Sequence, residues 1–73
     1  MNINQRILNK LIAFKTCTNR EGSTVFLGRM EFMEYCAWVA HEDVSSEQRF
    51  VENGVNVAIE HQPQLNSDIT VVL

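Results

Sequence analysis

Apolar residues recur at helical spacing in two stretches of the chain. The first stretch predicts an amphipathic helix over residues 4–16, with one apolar face formed by Ile3, Ile7, Leu8, Leu11 and Phe14. The second predicts a helix over residues 29–41, with an apolar stripe formed by Phe32, Met33, Cys36, Val39 and Ala40. Because Glu31, Glu34 and His41 lie opposite this stripe, we expect the stripe to face the core.

Three short segments have the composition of strands. Residues 24–27, 55–60 and 69–73 are rich in β-branched or other bulky apolar side chains. The last segment, Ile-Thr-Val-Val-Leu, is apolar on both sides and can pair antiparallel with residues 55–60. Residues 62–68, which contain the only proline, are predicted to form a loop.

Residues 46–53 fit two different structures. Ser45 followed by Gln48 matches a capping box, and Gly54 suits the residue after a helix, so this pattern favours a short helix. The alternative is a hairpin in which residues 49–51 turn at Asn53 and Gly54 into Val55. We favour the short helix and keep the hairpin as the alternative.

Together these elements predict a small α+β domain. An N-terminal helix and a second long helix pack on one face of a three-stranded, mostly antiparallel sheet. The other face of so small a sheet is expected to stay open. The apolar last strand is expected at an edge, where pairing with a second copy would give a homodimer.

Composition narrows the class of protein. The chain has 73 residues, of which 45% are hydrophobic and 21% charged, so it is too apolar for a disordered protein. No run approaches the ~20 apolar residues that a membrane span needs. Arg6 and Lys10 interrupt the apolar residues near the N-terminus, which argues against a signal peptide. Two cysteines do not form a disulfide scaffold. We expect one domain over residues 1–73, in the cytoplasm and without membrane contact.

The net charge of −3 is unevenly distributed. Residues 1–30 carry five basic and one acidic residue (+4), whereas residues 31–73 carry one basic and eight acidic residues (−7). The basic side chains of the first helix and the following turn form a candidate nucleic-acid-binding set: Arg6, Lys10, Lys15 and Arg20. No aromatic residue alternates with them as a stacking surface requires, so nucleic-acid binding is the alternative hypothesis.

The residues that could carry catalysis or bind metal are poorly spaced for either role. Intervals of 18, 4 and 19 residues separate Cys17, Cys36, His41 and His61, unlike the close ligand pairs of structural zinc sites. On one helix, Cys36 and His41 point in different directions and cannot form a catalytic pair. The three glycines are isolated, so there is no phosphate-binding loop. We predict no metal, no cofactor and no catalytic residue, and therefore a protein that is not an enzyme.

The second helix carries the most distinctive candidate surface. By helical phase, the only Trp and the only Tyr lie on its acidic side, where we predict a protein-binding face formed by Glu31, Glu34, Tyr35 and Trp38. Aromatic side chains dominate binding hot spots, and carboxylates around them suit a basic partner. The alternative is that the first helix or the C-terminal strands cover this side and make Trp38 part of the core.

The run TVFLGRMEFMEYCAWV (residues 24–39), followed by GVNVAIE (residues 54–60), resembles a pattern in small uncharacterised proteins of tailed phages and prophages. This resemblance implies an accessory protein that binds and redirects a host protein or belongs to the virion. It identifies no functional residue. The predicted function is a non-enzymatic phage or prophage accessory protein that binds a host or phage protein through the acidic aromatic face, in the host cytoplasm.

Overall fold

The chain folds as two helices and a four-stranded sheet, in a computed structural model that describes residues 2–42, 45–65 and 67–73. The predicted α+β class is confirmed. Asp43, which was counted in the acidic segment, and residue 66 of the predicted loop lie outside the described residues. The elements in chain order are α1 (Ile3–Thr18), β1 (Thr24–Leu27), α2 (Arg29–Glu42), β2 (Arg49–Glu52), β3 (Val55–His61), a short 3₁₀ helix (Pro63–Leu65) and β4 (Ile69–Val72).

The sheet has the strand order β2-β3-β1-β4. β1 is parallel to β3 and antiparallel to β4, and β2 is antiparallel to β3. The sheet is mostly antiparallel as predicted, but it has four strands instead of three. The last strand lies at the edge as predicted, yet its neighbour is β1 and not β3. The connection through α2 and β2 brings β3 parallel to β1, and this places β1 at the centre.

The predicted short helix over residues 46–53 is wrong, and the hairpin kept as the alternative is confirmed. This segment supplies the fourth strand. Residues Arg49–Glu52 form β2, and the hairpin turn has left-handed backbone at Asn53 (φ 52°) and Gly54 (φ 78°). Two such residues in a row are typical of the type I′ turns that join antiparallel strands. Phe50 is fully buried opposite Val57, so burial of this ring favours the strand over the helix.

The core lies between the helices and one face of the sheet. Alternate strand residues point to this face, where they meet the apolar residues of α1. The fully or nearly fully buried apolar side chains of the described chain are Ile3, Ile7, Leu8, Val25, Leu27, Tyr35, Phe50, Val57, Ile59 and Ile69. The opposite face carries Thr24, Phe26, Arg49, Asn56 and Glu60, none of which is fully buried. This face stays open, as the sequence predicted.

The helix α2 is present over nearly the predicted residues, but it packs with a different face. Met33, predicted in the core stripe, is 63% exposed, whereas Glu31 and Tyr35 are 1% and 0% exposed. Ala40 is also exposed. Apolar residues surround this helix on all sides, so their spacing does not identify the buried side. Tyr35 occupies the core position because its ring packs against Phe50 and its hydroxyl donates to a backbone carbonyl.

The approach of α1 to the sheet depends on Gly22, where a Cβ would overlap the Val71 side chain and lie 3.3 Å from Leu11 Cδ2. We expect Gly22→Ala to lower the free energy of unfolding by about 1–3 kcal/mol through overpacking. Gly54→Ala is the comparison, because nothing lies within 4 Å of that position and only its positive φ opposes a side chain. Urea denaturation measures both variants. A Gly22→Ala protein as stable as wild type would contradict the close approach.

Candidate protein-binding site

The predicted acidic aromatic face does not form one surface. Glu31 and Tyr35 are buried, so they cannot contact a partner, and their assignment as binding residues is wrong. The reason is the orientation of α2, which turns these two side chains toward α1 and the sheet. Glu34 remains exposed and Trp38 is partly buried, so these two residues of the predicted face reach the surface.

Buried Glu31 joins α1, α2 and the segment before β4. Its Oε2 accepts hydrogen bonds from Arg6 Nη2 (3.0 Å) and from Ser67 Oγ (3.0 Å). Its Oε1 is buried without a hydrogen-bond partner among the described residues. Burial raises the pKa of this carboxyl, but hydrogen bonds from Arg6, its own amide and Ser67, with the charge of Arg6, outweigh burial and hold the pKa below its usual value. Glu31 is therefore a charged structural residue.

Trp38 lines a hollow at the C-terminal half of α2. Its indole packs against the rings of Tyr35 and Phe50, with centroid distances of 5.8 and 5.6 Å. The hollow has a volume of about 500 Å³, and its lining residues are Asn2, Ile3, Glu34, Ala37, Trp38, His41 and Glu42. We call it the Trp38 hollow. It combines an aromatic surface held by the core with two exposed carboxylates.

The sequence indicated only part of this hollow. Glu34, Trp38 and Glu42 are spaced four residues apart, so they lie along one side of a helix, and this spacing could have added Glu42 to the predicted set. His41 was placed on the polar side of α2 but not in a site. Nothing in the sequence pattern indicated that Asn2 and Ile3 would close the hollow, because that contact depends on the packing of α1 against α2.

The basic residues of the first helix are not brought together as one patch. Arg6 contacts Glu31 and, at 3.8 Å, Glu34, while Lys15 pairs with Glu21 at 3.1 Å. Lys10 and Arg20 are exposed and form no ion pair within the described ranges. Two unpaired cations supply little phosphate neutralisation, so the geometry does not favour the alternative of nucleic-acid binding.

The cysteines and histidines are dispersed over the fold. Among the described residues, no group of three or more His, Cys, Asp or Glu side chains could hold a metal ion. Burial raises the pKa of the Cys36 thiol, with a further contribution from the charge of Glu47, and this disfavours the thiolate that a nucleophile needs. The His61 ring stacks on Phe32, with ring centroids 4.3 Å apart.

Two further findings concern membrane spanning and similarity to known proteins. In the part of the chain that the structure describes, neither helix combines the length and the apolar character needed to cross a membrane. No protein-family model, curated protein or solved structure matches this chain.

Proposed function

We propose that this chain is a non-enzymatic protein-binding domain of the phage or prophage accessory type. It acts in the cytoplasm by binding a basic side chain of a host or phage protein in the Trp38 hollow. The observation that carries the proposal is the position of Trp38 between Glu34 and Glu42 in one concave surface. The proposed phage origin rests on the sequence resemblance described above.

The chemistry of the hollow suits an arginine or lysine side chain. A cation above an indole face gains about 0.5–2 kcal/mol, depending on how far both groups are desolvated. Carboxylates at the rim add attraction and orient a guanidinium by hydrogen bonds. Because Tyr35 and Phe50 hold the indole in place, binding costs little side-chain entropy at Trp38.

The test is capture of partners from the natural host with two charge-reversal variants. We expect wild-type protein to retain a partner that a Glu34→Lys/Glu42→Lys variant loses, because the reversed charges repel a basic side chain. Both positions are exposed, so the variant is expected to fold. Mass spectrometry identifies the partner. The quenching of Trp38, the only tryptophan, then measures the affinity for the purified partner.

Glu60→Lys is the matched control, since Glu60 is an exposed carboxylate on the open face of the sheet, away from the Trp38 hollow. Glu60→Lys changes the net charge half as much as the double variant does, and it replaces a glutamate by a lysine as each substitution of the double variant does. It is expected to retain the partner. Equal binding by all three proteins, or no change in Trp38 fluorescence on binding, would rule out the Trp38 hollow as the binding site.

A further inference from the structure

At the β2 edge of the sheet, the segment before β2 forms hydrogen bonds with the outward backbone groups of that strand. The Val51 amide donates to the Ser45 hydroxyl oxygen (2.9 Å), and this hydroxyl donates to the Val51 carbonyl (3.0 Å). The Arg49 amide donates to the Ser46 hydroxyl oxygen (3.0 Å), and the Arg49 carbonyl accepts from the Ser46 amide (3.0 Å). These bonds occupy the backbone groups that point away from β3, so the β2 edge is protected against pairing with another strand.

The opposite edge, at β4, is open at its centre. The Asp68 carbonyl accepts from the Gly28 amide (2.9 Å), and in an antiparallel ladder every second residue bonds to the same neighbour. Ile69 and Val71 therefore direct their amides and carbonyls away from β1. Asp68 Oδ1 accepts from the Ile69 amide (2.9 Å). The Ile69 carbonyl and both backbone groups of Val71 are left for an added strand, as far as the described residues show.

The helix α1 forms a wall beside this open edge. A groove of about 380 Å³ lies between α1 and β4 and continues into a hollow of about 440 Å³ toward the start of the helix. The two parts share four lining residues, and Phe14 and Val71 line the first part alone. The shared residues are Lys10, Ala13, Asp68 and Ile69. We call this space the α1–β4 groove. Neighbouring strands lie about 4.8 Å apart, so an extended segment paired with β4 would run along this wall.

We propose that the α1–β4 groove binds an extended segment of a partner protein, which pairs with β4 as a fifth strand. The segment carries apolar side chains at alternate positions and a carboxylate facing Lys10. In this mode of recognition, main-chain hydrogen bonds supply affinity and alternate side chains supply specificity. The carboxylate of Asp68, which also lines the groove, accepts hydrogen bonds from the Ile69 amide and the Thr70 hydroxyl at the start of β4. Lys10 is exposed and has no ion pair within the described ranges, so it is the charge left to select an acidic segment. This surface is separate from the Trp38 hollow.

A second copy of the chain fits this groove less well than an acidic segment does. If two β4 strands paired symmetrically, each would present Ile69 and Val71 on the side that faces α1. No residue of β4 itself is acidic, so within the paired strand Lys10 would meet no carboxylate. Pairing of two copies at β4 is therefore the competing outcome of the test.

The experiment selects random displayed peptides on the intact chain and measures the binding of one selected synthetic peptide by fluorescence anisotropy. We expect peptides with alternating apolar residues and an Asp or Glu. Val71→Pro removes the outward amide but not the ladder with β1, and it is expected to weaken binding by about tenfold, the value of one hydrogen bond. Ala13→Trp fills the groove from the exposed side of α1 and is expected to abolish binding.

Ala40→Trp, the same substitution at an exposed position of α2 outside the Trp38 hollow, is the matched control and is expected to leave the peptide affinity unchanged. Hydrogen exchange of the Val71 amide gives a direct readout, since the peptide is expected to slow it. Selection of no peptide, or equal affinity of the wild-type and Ala13→Trp proteins, would overturn the proposal. A dimer whose Val71 amide is already protected without peptide would also overturn it, in favour of a second copy at β4.

Discussion

The Tyr35→Ala variant is expected to lose about 3–5 kcal/mol of the free energy of unfolding, the usual cost of removing a large buried aromatic side chain. At roughly 0.05–0.15 kcal/mol per residue, a domain of 73 residues has a total stability of about 4–11 kcal/mol, so the variant is expected to lose a large share of it. Met33→Ala, on the exposed side of the same helix, is expected to change stability by about 0.5 kcal/mol or less. Circular dichroism during urea denaturation measures both.

The cost at Tyr35 has a polar component as well as a packing component. The hydroxyl lies 2.7 Å from the Ser46 carbonyl and 2.9 Å from the Arg49 carbonyl, to which it donates, and so it attaches α2 to the beginning of β2. Tyr35→Phe keeps the ring and removes these bonds, with an expected loss of about 1–2 kcal/mol. The packing of α2 predicts that the loss of stability is largest for Tyr35→Ala, smaller for Tyr35→Phe and smallest for Met33→Ala.

Alkaline titration tests the same environment without a mutation. Burial raises the pKa of Tyr35 from 10.0 to about 12. The pKa of Tyr35 is higher in the folded than in the unfolded protein. The stability that neutral Tyr35 contributes is therefore fully present below about pH 10 and is lost as the pH rises toward 12. Tyr35 is the only tyrosine, so absorbance near 295 nm reports its ionisation alone. Ionisation near pH 10 in the folded protein, or equal effects of Tyr35→Ala and Met33→Ala, would contradict the buried position.

Sequence spacing located the elements of this fold better than it located their faces. The apolar periodicity of α1 identified both the helix and its buried side, because Ile3, Ile7 and Leu8 are buried as predicted, and only the buried Asn4 departs from the pattern. In α2, Met33 and Ala40 are as apolar as the residues that are buried, and Tyr35 is buried with its hydroxyl bonded. Which face of α2 is buried depends on the carbonyl acceptors of Ser46 and Arg49. They lie 11 and 14 residues from Tyr35, so the spacing of residues within the helix cannot indicate them.

The same limit applies to β2 and to the candidate binding surfaces. Ser45 has the residue type of a helix cap, but its hydroxyl bonds to both backbone groups of Val51 instead. Local pattern cannot distinguish these uses, because Ser, Thr, Asn and Asp bond to helix ends and to other backbone groups alike. The Trp38 hollow was predicted in part, through Glu34 and Trp38. The α1–β4 groove needed the strand order, which places β4 beside α1 at an edge.

Arg6→Met is expected to lower the free energy of unfolding by about 3 kcal/mol, because it leaves the carboxylate of Glu31 buried without its cation. Glu31→Gln added to Arg6→Met is expected to restore part of this stability, since it removes the unpaired charge and keeps the shape. Lys15→Met is the matched control. Its partner Glu21 is exposed and lies 3.1 Å away, so the expected loss is below about 1 kcal/mol.

The pH dependence of stability distinguishes a buried ion pair from a simple packing effect at these positions. The pKa of Glu31 is lowered from 4.5 in the folded protein, so its contribution is fully present above about pH 4.5 and is lost as the pH falls through the folded value. Denaturation of the wild type between pH 7 and pH 3 is expected to show this loss, and the Arg6→Met/Glu31→Gln protein is expected to lack that part of it. If the double variant were less stable than Arg6→Met, or as sensitive to acid as wild type, Glu31 would not be the charged link between α1 and α2. The prediction is specific to Glu31, because Glu34 is exposed and contacts the same arginine at 3.8 Å, so Glu34→Gln is expected to change the free energy of unfolding by less than about 1 kcal/mol.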